Sequence, residues 1–578
     1  MRLRHNLTMQ MRANIQAVSE GTSPCLMCRK SFPVDADDKA FLERLSPVIG
    51  GERYDLPKPE FCPQCRLQTR LAFRNQMYVY KRLSSMSGNP IFSMIPASAP
   101  FPVYSKEEWW SDRWDPTAYG REFSRAKPFF DQFRELQCFV PAFPLSVLNS
   151  ENSDYCNNVT GARNCYLVFN TSFSEDCMCC ESVWRSKDCL DCSFTPESEL
   201  CYDCTECAHC YALQSSQHCE NCSESFFLMH CQGCRNCFGC VNLRRKEYCI
   251  FNRQVSKQEY TQFISDASLS SSAARARWGE QAHKLFLQHP RPHIESRFAE
   301  ECTGNQVFQS RGVKDGYLIR GAENCRYVFN TYPEIRDCCD YSCFGNGAEL
   351  LYECCTCGSG CSYSQFCTHC WDGSANLHYC IMCIGCQECF GCVGLRRKQY
   401  CILNKQYSKA EYEQIVPGII AFMRTTGEWG RFFPRCFAPV PYNESLAQRY
   451  FPLTAEVAAQ QELWWEERPP VTDERALPAS ALPDGLPRDD RPITALSQLS
   501  GKPFRIPTEE IRRCRAMNVP LPRMSYDERL NERARMLGGL ELYSRPCARS
   551  GKDLATSFPP DSPWIIWDRD LYENEISS

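Results

Sequence analysis

CMCCESVWRSKDCLDCSFTPESELCYDCTECAHC, residues 177–210, places Cys-x-x-Cys at 177/180, 189/192, 201/204 and 207/210, the first three pairs 12 residues apart. Outward from this stretch the beat runs from Cys165 to Cys249. Cys165, Cys177, Cys189 and Cys201 step by 12, as do Cys219 to Cys231 and Cys237 to Cys249, and further pairs close at 219/222, 231/234 and 237/240. A fixed period means one structural unit stacked on itself, each burying its face against the next. Twelve residues at ~3.3 Å each give a coil perimeter of about 40 Å, with coils about 4.8 Å apart. Such a coil encloses almost no space, so small side chains must fill it. Positions i and i+3 of a straight strand face opposite sides. Both thiols of a pair point inward only where the pair spans a bend.

The chain holds 43 cysteines in 578 residues and a net charge of −4. Near-balanced charge gives no whole-chain pull toward nucleic acid or membrane. Met1 to Ser23 is polar and lacks the apolar core of a secretory signal, and no apolar run nears the ~20 residues that span a bilayer. A cytoplasmic location is the expectation. In a reducing cytosol, dense cysteine reads as metal ligation rather than disulfide, and an odd count fits poorly with closed pairing.

The repeat occurs twice. FGCVNLRRKEYCIFNRQVSKQEY from Phe238 and FGCVGLRRKQYCILNKQYSKAEY from Phe390 share 17 of 23 residues at an offset of 152. NCYLVFNT from Asn164 matches NCRYVFNT from Asn324 at an offset of 160. In the second copy the 12-residue beat is expected from Cys343 to Cys355 to Cys367, with a one-residue slip to Cys380 before Cys392. Ser256-x-x-Glu259 and Ser408-x-x-Glu411 are capping boxes that start a helix after each copy. Tyr412, Ile415, Val416, Ile419, Ile420 and Met423 make one apolar face, with Pro417 expected to kink it. A second helix is expected over 273–288. The two ends also match: CLMCRKSFPV from Cys25 with SQLSGKPFRI from Ser497, LPKPEFCPQCRLQTR from Leu56 with VPLPRMSYDERLNER from Val519, and YKRLSSMSG from Tyr80 with YSRPCARSG from Tyr543. Where the first copy has Cys25, Cys28, Cys62 and Cys65, the last has Ser497, Ser500, Ser525 and Glu528.

Cys25, Cys28, Cys62 and Cys65 form the sharpest site, an all-sulfur sphere of the kind zinc takes in closed structural sites. A rubredoxin-like iron site uses the same ligands. The repeats add candidate ligands at Cys177, Cys180, Cys189, Cys192, Cys201, Cys204, Cys207, Cys210, Cys219, Cys222, Cys231, Cys234, Cys237 and Cys240. The second copy adds Cys354, Cys357, Cys367, Cys370, Cys380, Cys383, Cys386, Cys389 and Cys392. Two readings stay open: a column of zinc sites, with iron–sulfur ligation as the lesser form, or a dry ladder of thiols used as small hydrophobes. His209, His218 and His230 each precede a repeat cysteine. They are expected as polar groups on the outer face of the coil, with a Cys3His site as the alternative. Arg66, Arg70 and Arg74, with Arg244, Arg245, Lys246, Arg396, Arg397 and Lys398, carry a nucleic-acid alternative. The expectation set against it is a solvated helix face and a solvated turn. There is no phosphate loop, HExxH or nucleophile elbow, so no enzyme is expected.

FCPQCRLQTRLAFRN from Phe61, WWSDRWDPTAYGREF from Trp109, FGCVGLRRKQYCILNKQYSKAEY from Phe390, TGEWGRFF from Thr426 and YFPLT from Tyr450 resemble an uncharacterised family of cysteine-repeat proteins with zinc-ribbon ends, from small-genome uncultivated bacteria. The resemblance covers nearly the whole chain. It implies zinc-ribbon modules around a cysteine-rich middle, with no assigned activity. It also implies further Cys-x-x-Cys knuckles where this chain has Ser84, Ser87, Ser105 and Glu108, and at the C-terminal position where Cys547 alone remains.

The expected architecture is multidomain and mainly β: two Cys-rich β-solenoid-like repeat blocks with helical connectors, flanked by zinc-ribbon or treble-clef-like end domains. In order these are a zinc-bearing domain over 1–110, a helical connector over 111–150, repeat block 1 over 151–252 and a helical connector over 253–300. Repeat block 2 over 301–404, an amphipathic helix and connector over 405–464, a Pro-rich linker over 465–494 and a metal-free copy of the first domain over 495–578 follow. The expected function is a non-enzymatic zinc-binding scaffold or binding protein, with a protein partner or self-association and no membrane. A nucleic-acid-binding protein and an iron–sulfur electron carrier are the alternatives.

Overall fold

A computed structural model of the protein describes residues 22–331, 335–343, 345, 347, 349–358, 360–468 and 472–576. The stretch read for a secretory leader lies outside them up to residue 21. The repeats form a β-solenoid whose coil has four short sides. Every third residue sits in the left-handed region: Asp176, Cys179, Ser182, Arg185 and Asp188 have φ of 52, 54, 56, 52 and 53°. The residue after each corner points inward, and the next bridges to the neighbouring coil, as Met178 does to Leu190 and Glu181 to Ser193. Each corner of a non-glycine residue costs ~1–2 kcal/mol. The ladder offsets that cost. Met178 N–H donates one coil onward to Cys189 O at 2.9 Å, and Cys179 N–H one coil back to Tyr166 O at 3.0 Å. The Cys-x-x-Cys spacing is therefore one corner: both thiols of a pair face the interior because a left-handed residue lies between them.

From Val147 to Ile250 the coils pair in parallel at steps of 12, as Cys237 does with Cys249. Their interior is a cluster of cysteines with Val159, Val168, Val183, Leu213 and Leu228 among them. The second stretch, Ser296–Gln406, corrects the expected beat. Arg326 pairs with Cys339, Cys355 with Thr368 and Gln365 with His378, steps of 13, before Ala375 with Gln387 returns to 12. The inward column is thus Cys354, Cys367, Cys380, Cys392. Cys343 and Cys355 are not part of it: they face outward, into other clusters. One extra residue per coil shifts the corner without opening the ladder, which is why the cysteine count alone misread the column.

Each stretch ends by turning its last strand back, Cys249 against Gln254 and Cys401 against Gln406. The helices Lys257–Asp266 and Lys409–Thr426 follow, both with the expected capping boxes closed. The second expected helix forms as Ser272–Phe286. Lys409–Thr426 continues through Pro417 and stops at Gly427, whose φ of 72° provides the left-handed cap. Tyr412, Val416, Ile419, Ile420 and Met423 are buried, in one core with Phe129, Phe133, Tyr379, Phe390 and Phe433. Among the described residues no helix is long and apolar enough to cross a membrane.

Candidate metal centre and cleft

Four hairpins at the two ends share one local design. Their strands are Thr22–Pro24 with Ser31–Pro33, Tyr80–Leu83 with Pro90–Ser93, Ile493–Leu496 with Pro503–Ile506, and Tyr543–Pro546 with Asp553–Thr556. In each turn a left-handed residue lies four places after the first turn residue: Arg29, Gly88, Gly501 and Gly551 at φ 66, 73, 70 and 73°. Its N–H returns to the carbonyl of Cys25, Ser84, Ser497 or Cys547 at 2.9–3.0 Å. The turn of each hairpin faces a helix start.

In the first hairpin that helix is Pro63–Ala72, with Cys62 at its N-cap and Cys65 in its first turn. The four sulfurs of Cys25, Cys28, Cys62 and Cys65 lie within 4.8 Å of one another. Cys28 Sγ and Cys62 Sγ are 3.8 Å apart, which is the edge of a tetrahedron with metal–sulfur bonds of ~2.3 Å, about 3.8 Å. Hydrogen bonding from Cys65, against the opposing effect of burial, brings Cys62 down to about 5, while the same pairing and burial push Cys65 up. The helix N-terminus behind Cys62 favours negative charge there.

Two of the other hairpins join turn to helix through hydrogen bonds. Ser84 Oγ donates to Glu108 Oε2, which also accepts Ser105 N–H at 2.9 Å. Ser497 Oγ donates to Glu528 Oε2, which accepts Ser525 N–H at 3.0 Å. The carboxylate holds turn and helix together as an ion otherwise would. In the fourth hairpin Cys547 Sγ accepts the N–H of Asp568 and Ser550 at 3.2 and 3.4 Å.

Every repeat cysteine proposed above as a ligand lies in one of the two interior clusters, together with Cys156, Cys165, Cys249, Cys325, Cys338, Cys361 and Cys401, which the pair spacing missed. Their sulfurs face backbone carbonyls two residues before and nine after, or ten after in the 13-residue coils: Cys189 Sγ reaches Lys187 O at 3.3 Å and Ser198 O at 3.6 Å, and Cys367 Sγ reaches Leu377 O at 3.4 Å. Burial pushes Cys156 up to about 12. Thiol hydrogen bonds from Cys189 and Cys204 hold Cys201 down to about 6. Among the described residues, the groups that gather three or more ligand atoms within 4.8 Å are the four-cysteine cluster and His218, His230 and Glu295.

Two expectations about exposed side chains are corrected. Arg66, Arg70 and Arg74 are not a solvated face: they are 3, 0 and 1% exposed. Arg66 Nε bonds Asp340, Arg70 Nε donates to Ser342 Oγ at 3.1 Å, and Arg74 Nη2 to Asn170 Oδ1 at 2.9 Å. The C-terminal copy repeats this on the first stretch of coils. Arg529 bonds Asp191 and Glu510, and Arg533 Nε donates to Ser193 Oγ at 3.2 Å. Each end helix is clasped to a solenoid through an Asp-x-Ser, which i, i+4 spacing alone does not reveal. Of the turn residues, Arg396 is anchored by Trp109 O and Trp114 O at 2.6 and 2.9 Å, and Arg244 by His230 O. Arg245, Lys246 and Arg397 are exposed. His209 is exposed beside Glu197, whereas His218 and His230 are covered.

Between the two stretches of coils lies a cleft of about 1080 Å³. Trp110, Phe173, Trp184 and Trp371 line it with Asn149, Asn158 and Asn170, and its charges are Arg74, Lys106, Arg185 and Arg320 against Asp372. The chain matches no family model and no curated protein.

Proposed function

We propose that the chain is a non-enzymatic binding protein or scaffold, stabilised by one structural zinc at Cys25, Cys28, Cys62 and Cys65. The first domain is the zinc-ribbon-like end and the last its metal-free copy. What carries the zinc reading is the four-sulfur cluster at tetrahedral spacing. Four thiolates suit zinc, and the closed sphere leaves no position for substrate. Elemental analysis of full-length protein purified without added metal tests it. About one zinc per chain is expected. A Cys25→Ser, Cys62→Ser variant should lose that zinc and become protease-sensitive over residues 22–110. Iron in its place, or an unchanged zinc content in the variant, would overturn the assignment.

The binding reading rests on the cleft, where aromatic side chains stand exposed beside amides. Phe173 is 63% exposed. A protein partner or second copy is the first occupant. A second reading, single-stranded nucleic acid, is favoured by the cationic excess of the lining over a chain of net charge −4 and by stacking surfaces that accept any base.

A further inference from the structure

Glu206, His218, His230 and Asn242 occupy one corner of the first solenoid, 12 residues apart, at φ of 54, 52, 52 and 60°. Stacked corners place their side chains one above another on the outer face. The rings of His218 and His230 lie 4.9 Å apart and 11° from parallel. A corner column of this kind belongs in water, but this one is covered. The segment Pro290–Ser296 and the C-terminal helix Arg569–Ile576 close over it, with Tyr572 bonded to Asn242 at 2.6 Å. His218 and His230 are left 3 and 6% exposed.

Covering the rings brings Glu295 to them. One nitrogen of each ring and one Glu295 carboxylate oxygen lie within 4.8 Å of one another. His218 Nδ1 is 2.6 Å from Glu206 Oε2, and its Nε2 is buried with no partner. His230 Nε2 is 2.9 Å from Glu295 Oε1, and its Nδ1 is likewise buried and unpartnered. Leaving a buried polar atom unpaired costs ~1–3 kcal/mol, and here two lie side by side. For His218, a carboxylate on one nitrogen with the other nitrogen free is how proteins orient a histidine toward a metal; His230 instead meets Glu295 itself through Nε2. The bonds of Glu295 to His230 and Arg291 both fall on Oε1. Arg291 meets Glu295, and Arg297 meets Glu206 and Glu220, so two guanidinium groups face three carboxylates and one negative charge is left for a cation. A cavity of about 220 Å³ opens beside them.

We infer that His218, His230 and Glu295 form a second metal site, for a divalent first-row transition ion such as zinc or ferrous iron. Glu206 is the carboxylate behind His218. The site is of the two-histidine, one-carboxylate class, which takes nitrogen and oxygen rather than sulfur and keeps coordination positions open. It differs in donor set from the four-cysteine centre and joins the segment Pro290–Ser296 to the first stretch of coils.

Cobalt(II) separates the two sites. Full-length protein carrying one zinc per chain, at the four cysteines, is titrated with cobalt by equilibrium dialysis and visible spectroscopy. One added equivalent is expected, with weak visible bands and none of the near-ultraviolet charge transfer that thiolates give. His218→Gln with His230→Gln should abolish that uptake while zinc at the cysteine centre stays. His209→Gln, on an exposed histidine outside the group, should change nothing. Glu206→Gln keeps both rings and should weaken cobalt binding about 10–100-fold, a reading that holds even if the double variant misfolds. No cobalt uptake by the wild type, thiolate-type bands only, or undiminished binding in Glu206→Gln would overturn the site.

Discussion

Cys189 is fully buried and its thiol faces two backbone carbonyls. At the same depth Ser186 and Ser198 meet carbonyls in the same way, Ser186 Oγ to Thr195 O at 2.8 Å and Ser198 Oγ to Pro196 O at 2.9 Å. Cysteine and serine are thus interchangeable in shape here, and neither leaves a polar atom unpaired. Bulk is another matter. Leu213 and Leu228 enter the same interior only with Ser216 and Ser225 nearby. Cys189→Leu, in a filled interior beside Cys177, Cys192 and Cys201, should lower stability by roughly 1–3 kcal/mol, read as a shift in the urea midpoint, whereas Cys189→Ser should cost less. Equal losses for the two would remove the packed-thiol account. If Cys189→Ser also lowered metal content, the sulfurs would be ligands rather than filling.

The end helices are held by paired buried charges, whereas the surface pair Lys30–Glu541, with side chains 69 and 52% exposed, is of the kind worth at most ~1 kcal/mol. Arg529 on Asp191 and Arg66 on Asp340 are both nearly or fully buried. Removing one partner of such a pair strands the other, at ~3–5 kcal/mol. Asp191→Ala should therefore cost about that much and expose residues 495–576 to protease, while Lys30→Ala stays within ~1 kcal/mol. Comparable small effects for both would mean that apolar packing, not the clasp, fixes the helix. At this scale the capping boxes at Ser256 and Ser408 were legible because they are local. The clasps were not, since Arg66 and Asp340 lie 274 residues apart.

At the scale of the whole molecule, residues from both stretches of coils line the cleft. If single-stranded nucleic acid fills it, Lys106, Arg185 and Arg320 supply the phosphate contacts. About three such contacts predict that log K for an RNA oligonucleotide falls with log salt at a slope near −2. Phe173→Ala should remove a stacking surface worth ~1–3 kcal/mol, and Arg320→Ala should flatten the salt slope by roughly 0.7. Fluorescence anisotropy reads both. Binding that ignores salt and both substitutions would leave a protein occupant as the reading of the cleft.

Features that depend on neighbours along the chain were legible in the order of residues. The 12-residue period set the coil, the Cys-x-x-Cys spacing required a bend between inward thiols, and Cys25, Cys28, Cys62 and Cys65 marked the four-sulfur cluster by residue type. The tertiary structure decided what depends on which surfaces meet. It lengthened the coil to 13 residues where Cys354, Cys367 and Cys380 stack. It turned a basic helix inward onto Asp340, and it brought Glu295 over His218 and His230. The physical reason is the same each time. A period reports the shape of one repeating unit, but burial of a charge or an imidazole is set by the element that packs over it, and that element comes from elsewhere in the chain.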